Sequence, residues 1–580
     1  MAKRPKARPS PKRKPQSSPE SPAPAANSWV DPFGPYAVAA ILLLVVWLAR
    51  YWGSSGFGLY VDDPPRVIPA MESSWADLWP YLWEILSGFH GQGRPLHPIL
   101  IHLIPHWAAR IAGLQSVYWA ASLIVALNGF LLYSLLRKLS GSQFLALTAA
   151  VAFCVFPADT TQAYLTLAFG GQPSITFFLL AAHCWFTRWR PLSYVLVLGS
   201  LTCYETVFPL FLALPLLRPK WDGALLRLLA LHGVFVGGSL AGMALIRRAI
   251  GETFVSGLSA DVILTRPFEQ MAVGPATSLA MFFYRPWKSL PAEFPSHWML
   301  LAFTFAGFAA LLWLMAKETR ESAAGPPFRQ LWRIAAAGLA MLVLAYPITF
   351  TASAGTIDGR DTRVHMAAAV GGAILIGALA ALALKFLARP WSSAAAVGVL
   401  ALLFTGAIAF GLNVQRDYRL AWAYQQRFWA DVARLCPDMD RSTVILVNRR
   451  GFRTPRQMEP WGWDMPAFLQ RMYEIPGPWT PMPTVYQLRW NWRELVGKTG
   501  SLMDGADPKG WRIPDIEDPS FIYLREEEGE LVRAEGPLEV EGRRFPLRPV
   551  AAPGEPPYGK KLQGRLLLSP PAEEASYLRP

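Results

Sequence analysis

Charge is scarce in this sequence. Only 17% of its 580 residues are Asp, Glu, Lys or Arg, where a soluble chain carries about a quarter. That deficit argues against a water-soluble globular protein. Cysteine is scarce too, with four in the chain. Cys154, Cys184 and Cys203 fall inside apolar runs and Cys436 stands alone, so no disulfide framework or CxxC metal site is offered. Phosphate-cradling glycine loops, HExxH and GxSxG are missing, which removes the usual signatures of soluble nucleotide and protease chemistry. The first apolar run, Tyr36 to Trp52, has no clear small-residue cleavage site and reads as a retained span rather than a signal peptide. Internal repeats and the paired broken helices of transporters are not evident.

What is abundant is apolar length. Hydrophobic residues make up 52% of the chain, gathered in runs long enough to cross a hydrocarbon core of about 30 Å. The pattern predicts an all-α polytopic membrane protein of about eleven transmembrane helices. They are read at 36–52, 99–136, 143–157, 171–187, 192–205, 206–217, 228–246, 298–316, 333–352, 365–387 and 391–412. The run 192–217 is split because Tyr204, Glu205 and Pro209 interrupt it, and each half is short. The stretch VGPATSLAMFFYRPW within 247–297 is read as too short to span and as lying in the interface.

The formal net charge of +14 does not point to nucleic acid, because the basic residues sit in the opening MAKRPKARPSPKRKPQ and in short loops. Arg137/Lys138, Arg188/Arg190, Arg218/Lys220/Arg227, Lys317/Arg320/Arg329/Arg333 and Lys385/Arg389 all fall on the side of the amino terminus if each span crosses once. The positive-inside bias then places the amino terminus in the cytoplasm and the carboxyl terminus outside. Residues 1–30 are expected to be a disordered basic tail and 31–413 the membrane domain. Residues 414–547 are expected to form a small α/β or irregular soluble domain, and 548–580 a Pro-rich disordered tail. In the soluble part, Trp422, Phe428, Trp429 and Val432 mark an amphipathic helix, and STVILVN and FIYLREEEGELVRAEGPLEVEGRRFPL read as strands.

The loops assigned to the external side hold the residues with chemical potential. Asp62 and Asp63 follow the first span, where a carboxylate can bind a divalent cation or take a proton from an attacking hydroxyl. A solvated turn before two prolines is the plain alternative. Arg94, Arg360 and Arg363 are external arginines, suited to grip phosphate oxygens bidentately. A simpler role for the last two is pairing with Asp358 or Asp361. Glu205 is an acid inside an apolar stretch, either functional or a hydrogen-bonding strut between helices. His97, His102 and His106, at steps of five and four, scatter around a helix and read as packing rather than as a metal cluster. His365, beside Arg363, is a weaker candidate for the same external site.

These features together resemble the GT-C superfamily of integral membrane glycosyltransferases, which take sugars from polyprenyl-phosphate carriers on the external face. The resemblance is carried by YVDDP after the first span, GRPLHPI leading into the second, and FPADTTQAYLTLAFGGQPSITFFLL between the third and fourth. That last segment is similar to the Pro-acid segment of the protein mannosyltransferase branch. TCYETVFPL and GRDTRVHMAAAVG resemble segments of uncharacterised bacterial members. The similarity covers residues 35–435, with order and sidedness as its strength. Its departures are a DD pair where mannosyltransferases commonly have DE, and an Asp159 with no acidic companion.

The resemblance implies a bacterial inner (cell) membrane protein that uses a polyprenyl-phosphate-linked sugar donor. Asp62 or Asp63 would be general base or metal ligand. Arg360 and Arg363 would neutralise the departing lipid phosphate, with Asp159 and Arg94 completing the cavity. Metal dependence varies in that family, so a divalent cation is left open. A non-catalytic scaffold, docking protein partners through its external loops and carboxyl-terminal domain, is the competing expectation. A site requires Asp62, Asp159 and Arg360 to converge, and a scaffold does not.

Overall fold

The computed structural model describes residues 34–87, 93–251, 260–321, 326–350, 352–387, 390–439 and 443–448, then 456, 458, 468–469, 472–473, 484–487, 521–527, 530–540 and 543–550. The basic opening tail, Gly91 and Gln92 of GQGRP and the stretch 551–580 lie outside the described residues.

Each of the eleven predicted spans coincides with a helix. Among the described residues, seven helices are long and apolar enough to cross a membrane. Gln143–Cys154 and Glu205–Leu217 are apolar but shorter. The divided run 192–217 is two elements, an α-helix Arg190–Cys203 and a 3-10 helix Glu205–Leu217, separated by an extended Tyr204. Thirteen residues would reach about 20 Å as an α-helix but about 26 Å at the ~2.0 Å rise of a 3-10 helix. The tighter winding gives a short, twice Pro-interrupted segment nearly the length of a crossing.

Two long helices depart from the sequence reading. Leu96–Ser140 would be about 67 Å long if straight, but it breaks at Ala112 and Gly113. Only the second leg carries the span, while the first holds His97, His102 and His106. The stretch read as a short interfacial segment is instead part of one helix from Ala260 to Glu321, broken only at His297. Prolines at 267, 275, 286, 291 and 295 lie inside this helix and do not stop it. Neighbouring elements cover one face. The buried positions on that leg include Gln270, Ser278, Arg285, Ser289 and Glu293, whereas Phe268, Phe283, Tyr284, Trp287 and Phe294 are exposed. Polar inside and aromatic outside is the distribution expected of a surface that faces lipid. The protein is an integral membrane protein.

The helices Phe328–Leu344 and Ala368–Phe386 approach so closely that a Cβ on Gly371 would lie 2.2 Å from the Leu342 nitrogen. Small residues permit such contact, the main source of helix attraction where lipid replaces water.

The last helix runs unbroken from Pro390 to Leu435, across residue 413 where the composition changes. Its distal part buries Trp422, Phe428, Trp429 and Val432, the apolar stripe read from the sequence. Beyond it lies a four-stranded sheet of order β2-β1-β3-β4, formed by β1 (Val444–Asn448), β2 (Thr484–Gln487), β3 (Phe521–Glu527) and β4 (Glu530–Arg533). β1 pairs in parallel with β2 and β3, and β4 is antiparallel to β3. A separate hairpin joins β5 (Leu538–Val540) to β6 (Arg543–Phe545). Arg533 ties the sheet to the end of the long helix, donating to the Leu435 carbonyl at 3.1 Å and to both oxygens of Asp438 at 2.5 and 3.0 Å.

Candidate active site

Buried tyrosines gather the loops at one end of the helices. Tyr51 donates to the Gln162 carbonyl at 3.0 Å, and Tyr118 reaches the carbonyls of Gly58 and Ala163 at 2.6 and 3.2 Å. Tyr60 donates to the Tyr418 carbonyl at 2.9 Å, and the Tyr418 hydroxyl donates to the Thr160 carbonyl at 2.7 Å. Buried backbone carbonyls need donors. Here each donor comes from a different segment, so the loops after the first and third predicted spans are fixed to the last long helix. The 3-10 turn Arg360–His365 joins them through Thr362, whose oxygen accepts from the Thr160 N–H at 3.0 Å.

On this floor Arg360 Nη2 donates to Asp62 Oδ2 at 2.6 Å, across 298 positions of sequence. Both side chains keep 31% of their surface exposed, so the pair is open to a ligand. Gly359 presents Arg360 from a backbone at φ +75°, a conformation that favours glycine. Burial alone would push the Asp62 carboxyl up. The guanidinium groups of Arg360, Arg66 and Arg363 outweigh it and hold the carboxyl below the usual range. Arg363 leans on Asp361 at 3.8 Å, and Asp361 is half exposed.

Asp63 has the opposite surroundings. It is fully buried. Its oxygens accept from the N–H groups of Leu165 at 3.0 Å and Thr166 at 2.8 Å, the first turn of helix Leu165–Gly170, and from Tyr60 at 3.4 Å. Burial pushes its carboxyl up to about 7 against these donors. Val61, which leads into the pair, has φ +55°. A β-branched side chain is strained there. Its burial and the anchors on either side hold it in place.

Arg66 was missed in the sequence because nothing local marks it. It follows Asp63 by one helical turn on Pro64–Glu72, with its N–H bonded to the Asp63 carbonyl at 3.1 Å. Half-buried near Asp62, its side chain makes no hydrogen bond or ion pair among the described residues. Three arginines thus act on Asp62, with Asp361 loosely placed beside Arg363.

The other expected residues lie in separate settings. Asp159 is buried and accepts from the Thr161 N–H and hydroxyl at 2.9 and 2.6 Å. It lines a small polar cavity with Arg50, Tyr51 and Gln162 and makes no bond to Asp62 or Arg360. Arg94 grips both oxygens of Glu205 at 2.6 and 2.5 Å, stacks 4.9 Å from the Tyr204 ring, and shares Glu205 with Arg247 at 3.3 Å.

The histidines are also distributed. His102 bonds the Pro98 carbonyl and His106 the Ala70 carbonyl, and His97 packs beside Tyr204. His365 is buried, with Nε2 facing the Thr356 carbonyl at 2.8 Å, so that nitrogen carries the proton and Nδ1 accepts from Tyr346 at 2.8 Å. Among the described residues, no group of three His, Cys, Asp or Glu side chains is arranged to hold a metal.

No protein-family model matches the sequence, and no curated protein matches it. Among solved structures, the chain is similar to that of ArnT from Cupriavidus metallidurans, whose crystal structure has undecaprenyl phosphate bound. The two are 12% identical, the match covers 75% of this chain and 84% of that one, and the TM-score is 0.37.

Proposed function

We propose that this protein is a membrane glycosyltransferase of the GT-C type, moving a sugar from a polyprenyl-phosphate carrier to an acceptor on the extracytoplasmic face. The observation that carries the reading is the open pair of Asp62 and Arg360, with Arg66 and Arg363 also acting on Asp62. A phosphodiester-linked donor brings a negative charge, which such a cluster of guanidinium groups suits.

In the transfer, an acceptor hydroxyl attacks the anomeric carbon and its proton passes to Asp62. The bond from that carbon to the phosphate oxygen breaks, and its electron pair leaves with the lipid phosphate. Arg360, Arg363 and Arg66 stabilise the charge that builds on the leaving group, an electrostatic task for preorganised donors. Asp63 fixes the turn that presents Asp62. The amino terminus is cytoplasmic and the carboxyl-terminal domain extracytoplasmic, as the Lys and Arg distribution supports.

The test is sugar transfer from a panel of polyprenyl-phosphate-linked sugars by the full chain in lipid nanodiscs, with Asp62→Asn alongside. Loss of the base is expected to cost about 10²- to 10⁴-fold in rate. Equal transfer by the variant, or none by the unaltered chain from any such donor, overturns the assignment.

A further inference from the structure

Arg456 comes from the carboxyl-terminal region, yet its side chain reaches the loop that carries Arg360. Its Nη1 donates to Asp358 at 2.5 Å, two residues before Arg360. Its Nε donates to Asp417 at 2.8 Å, Nη2 lies 3.4 Å from the Asn413 oxygen, and the guanidinium stands 5.6 Å from the centre of the Phe410 ring. Asp417, Asn413 and Phe410 all belong to the long last helix. One nearly buried side chain therefore clamps the Arg360 loop to the helix whose Tyr418 holds Thr160.

The clamp has the marks of a set geometry. Arg456 sits at φ +56°, in the left-handed region where a side chain other than Gly is uncommon. Its planar fork meets two carboxylates and an amide oxygen in different directions, which a lysine ammonium reproduces poorly. Between Asp358 and Arg360 stands only Gly359 at φ +75°, a joint without a side chain to limit its rotation. Without the clamp, the Asp358 side of that joint loses its tie to the last helix, and Arg360 is held from the Thr362 side alone and by its own contacts.

We propose that Arg456 is a positioning residue through which the carboxyl-terminal region sets the placement of Arg360 in the donor-phosphate site. The inference rests on the transferase reading. It deepens that reading by making transfer depend on docking of the carboxyl-terminal region against the last long helix.

The experiment uses the full chain in nanodiscs and compares Arg456→Gln, Arg456→Lys, Asp358→Asn and the double variant Arg456→Gln/Asp358→Asn. Transfer by Arg456→Gln is expected to fall about 10- to 100-fold, the scale of a small misplacement in a charged site. Arg456→Lys recovers part of the loss. Asp358→Asn reproduces it, and the double variant is no worse than either single one. The groups facing Asp62 are Arg360, Arg66 and Arg363. A loosened Arg360 therefore moves the acid limb of the pH–rate profile upward, which a general loss of stability does not do.

The proposal is overturned if Arg456→Gln transfers at the full rate with an unshifted acid limb. It is also overturned if the two single losses multiply in the double variant. Absence of transfer by the unaltered chain sinks the transferase reading instead. The clamp is then judged by binding of undecaprenyl phosphate alone, which Arg456→Gln weakens if Arg360 is displaced and leaves unchanged if it is not.

Discussion

Two corners of this molecule are built from an acid and arginines, and they are not alike. At Glu205 both carboxylate oxygens are taken by Arg94, Arg247 adds a further contact, and Glu205 keeps only 13% of its side chain exposed. At Asp62 a single oxygen meets Arg360, a third of each side chain stays open, and Arg66 nearby has no ion partner among the described residues. The first corner joins the start of helix Leu96–Ser140, the start of the 3-10 helix Glu205–Leu217 and the end of helix Gly223–Ala249. Its valences are spent on holding segments together. The second has valences left for a ligand. Residue types and the presence of a salt bridge do not separate a clasp from a site; unspent hydrogen-bonding capacity and exposure do.

The sharpest way to break this comparison is Arg360→Gln. If the Asp62 corner is catalytic, losing one donor to the departing phosphate costs about 10²- to 10³-fold in turnover. It also removes the largest field holding the Asp62 carboxyl down. The deprotonated base then requires higher pH, and the acid limb of the pH–rate profile moves up. Full turnover with an unshifted profile, in membranes with matched protein levels, would reduce this corner to another clasp.

Glu205→Gln tests the other side. It leaves Arg94 and Arg247 facing a neutral amide in a mostly buried place, and breaking such a pair costs on the order of 3–5 kcal/mol in folding. The expected result is a lower thermal midpoint in detergent and a lower yield of folded protein. Transfer per folded molecule falls far less than for Arg360→Gln. A stable variant with abolished transfer would place Glu205 in the chemistry.

These contrasts show what was legible beforehand. The spans were, because apolar length is a property of the chain alone. Asp62 and Arg360 were named from loops 298 positions apart, since sidedness put both on one face. The division between Asp62 and Asp63 was hidden, because it is decided by the partners that distant segments bring, Leu165 and Thr166 to one and Arg360 to the other, rather than by residue type. Arg66 and Arg456 were missed for a related reason: an arginine gains meaning only from what faces it, and their surroundings come from distant segments. The helix Ala260–Glu321 was misjudged in the other direction, because the apolar run within 247–297 was read as too short to span. Prolines weigh against a helix in water, but in a protein-covered, lipid-facing helix neighbouring elements take up the freed backbone groups.

Asp63→Asn narrows the comparison to adjacent residues. The amide offers one acceptor oxygen where Leu165 and Thr166 each donate to a different carboxylate oxygen, so one buried N–H loses its partner, at about 1–3 kcal/mol. The carboxyl of Asp63 is raised to about 7 in the folded chain, above its unfolded value of about 3.9. The folded state therefore binds more protons between these values, and its stability declines as pH rises from about 4 to 7. The variant lacks this component, so its disadvantage is largest at about pH 4 and shrinks toward pH 8. Thermal midpoints measured across that range would contradict the buried role of Asp63 if the two proteins ran parallel.

The smallest expected effect on stability, and the finest probe of the turn, is Val61→Gly. A buried valine cut back to glycine ordinarily costs roughly 2–3 kcal/mol from lost apolar contact. At Val61 the same change also releases a β-branched residue from φ +55°, and such strain is worth of order 1–3 kcal/mol. The two contributions oppose each other, so the net change is close to zero. Val155 is the matched control, since it is equally buried outside the body of a helix but has φ −101° and no strain to release. Val155→Gly should lower the unfolding midpoint clearly more than Val61→Gly does. Transfer should rank the other way. With glycine at 61 the turn that points Asp62 outward and Asp63 inward is no longer enforced, and the base loses its preset direction toward Arg360. A Val61→Gly protein that keeps both its stability and its full transfer rate would mean that the anchored oxygens of Asp63 suffice to aim Asp62, and that the strain at Val61 has no part in the site.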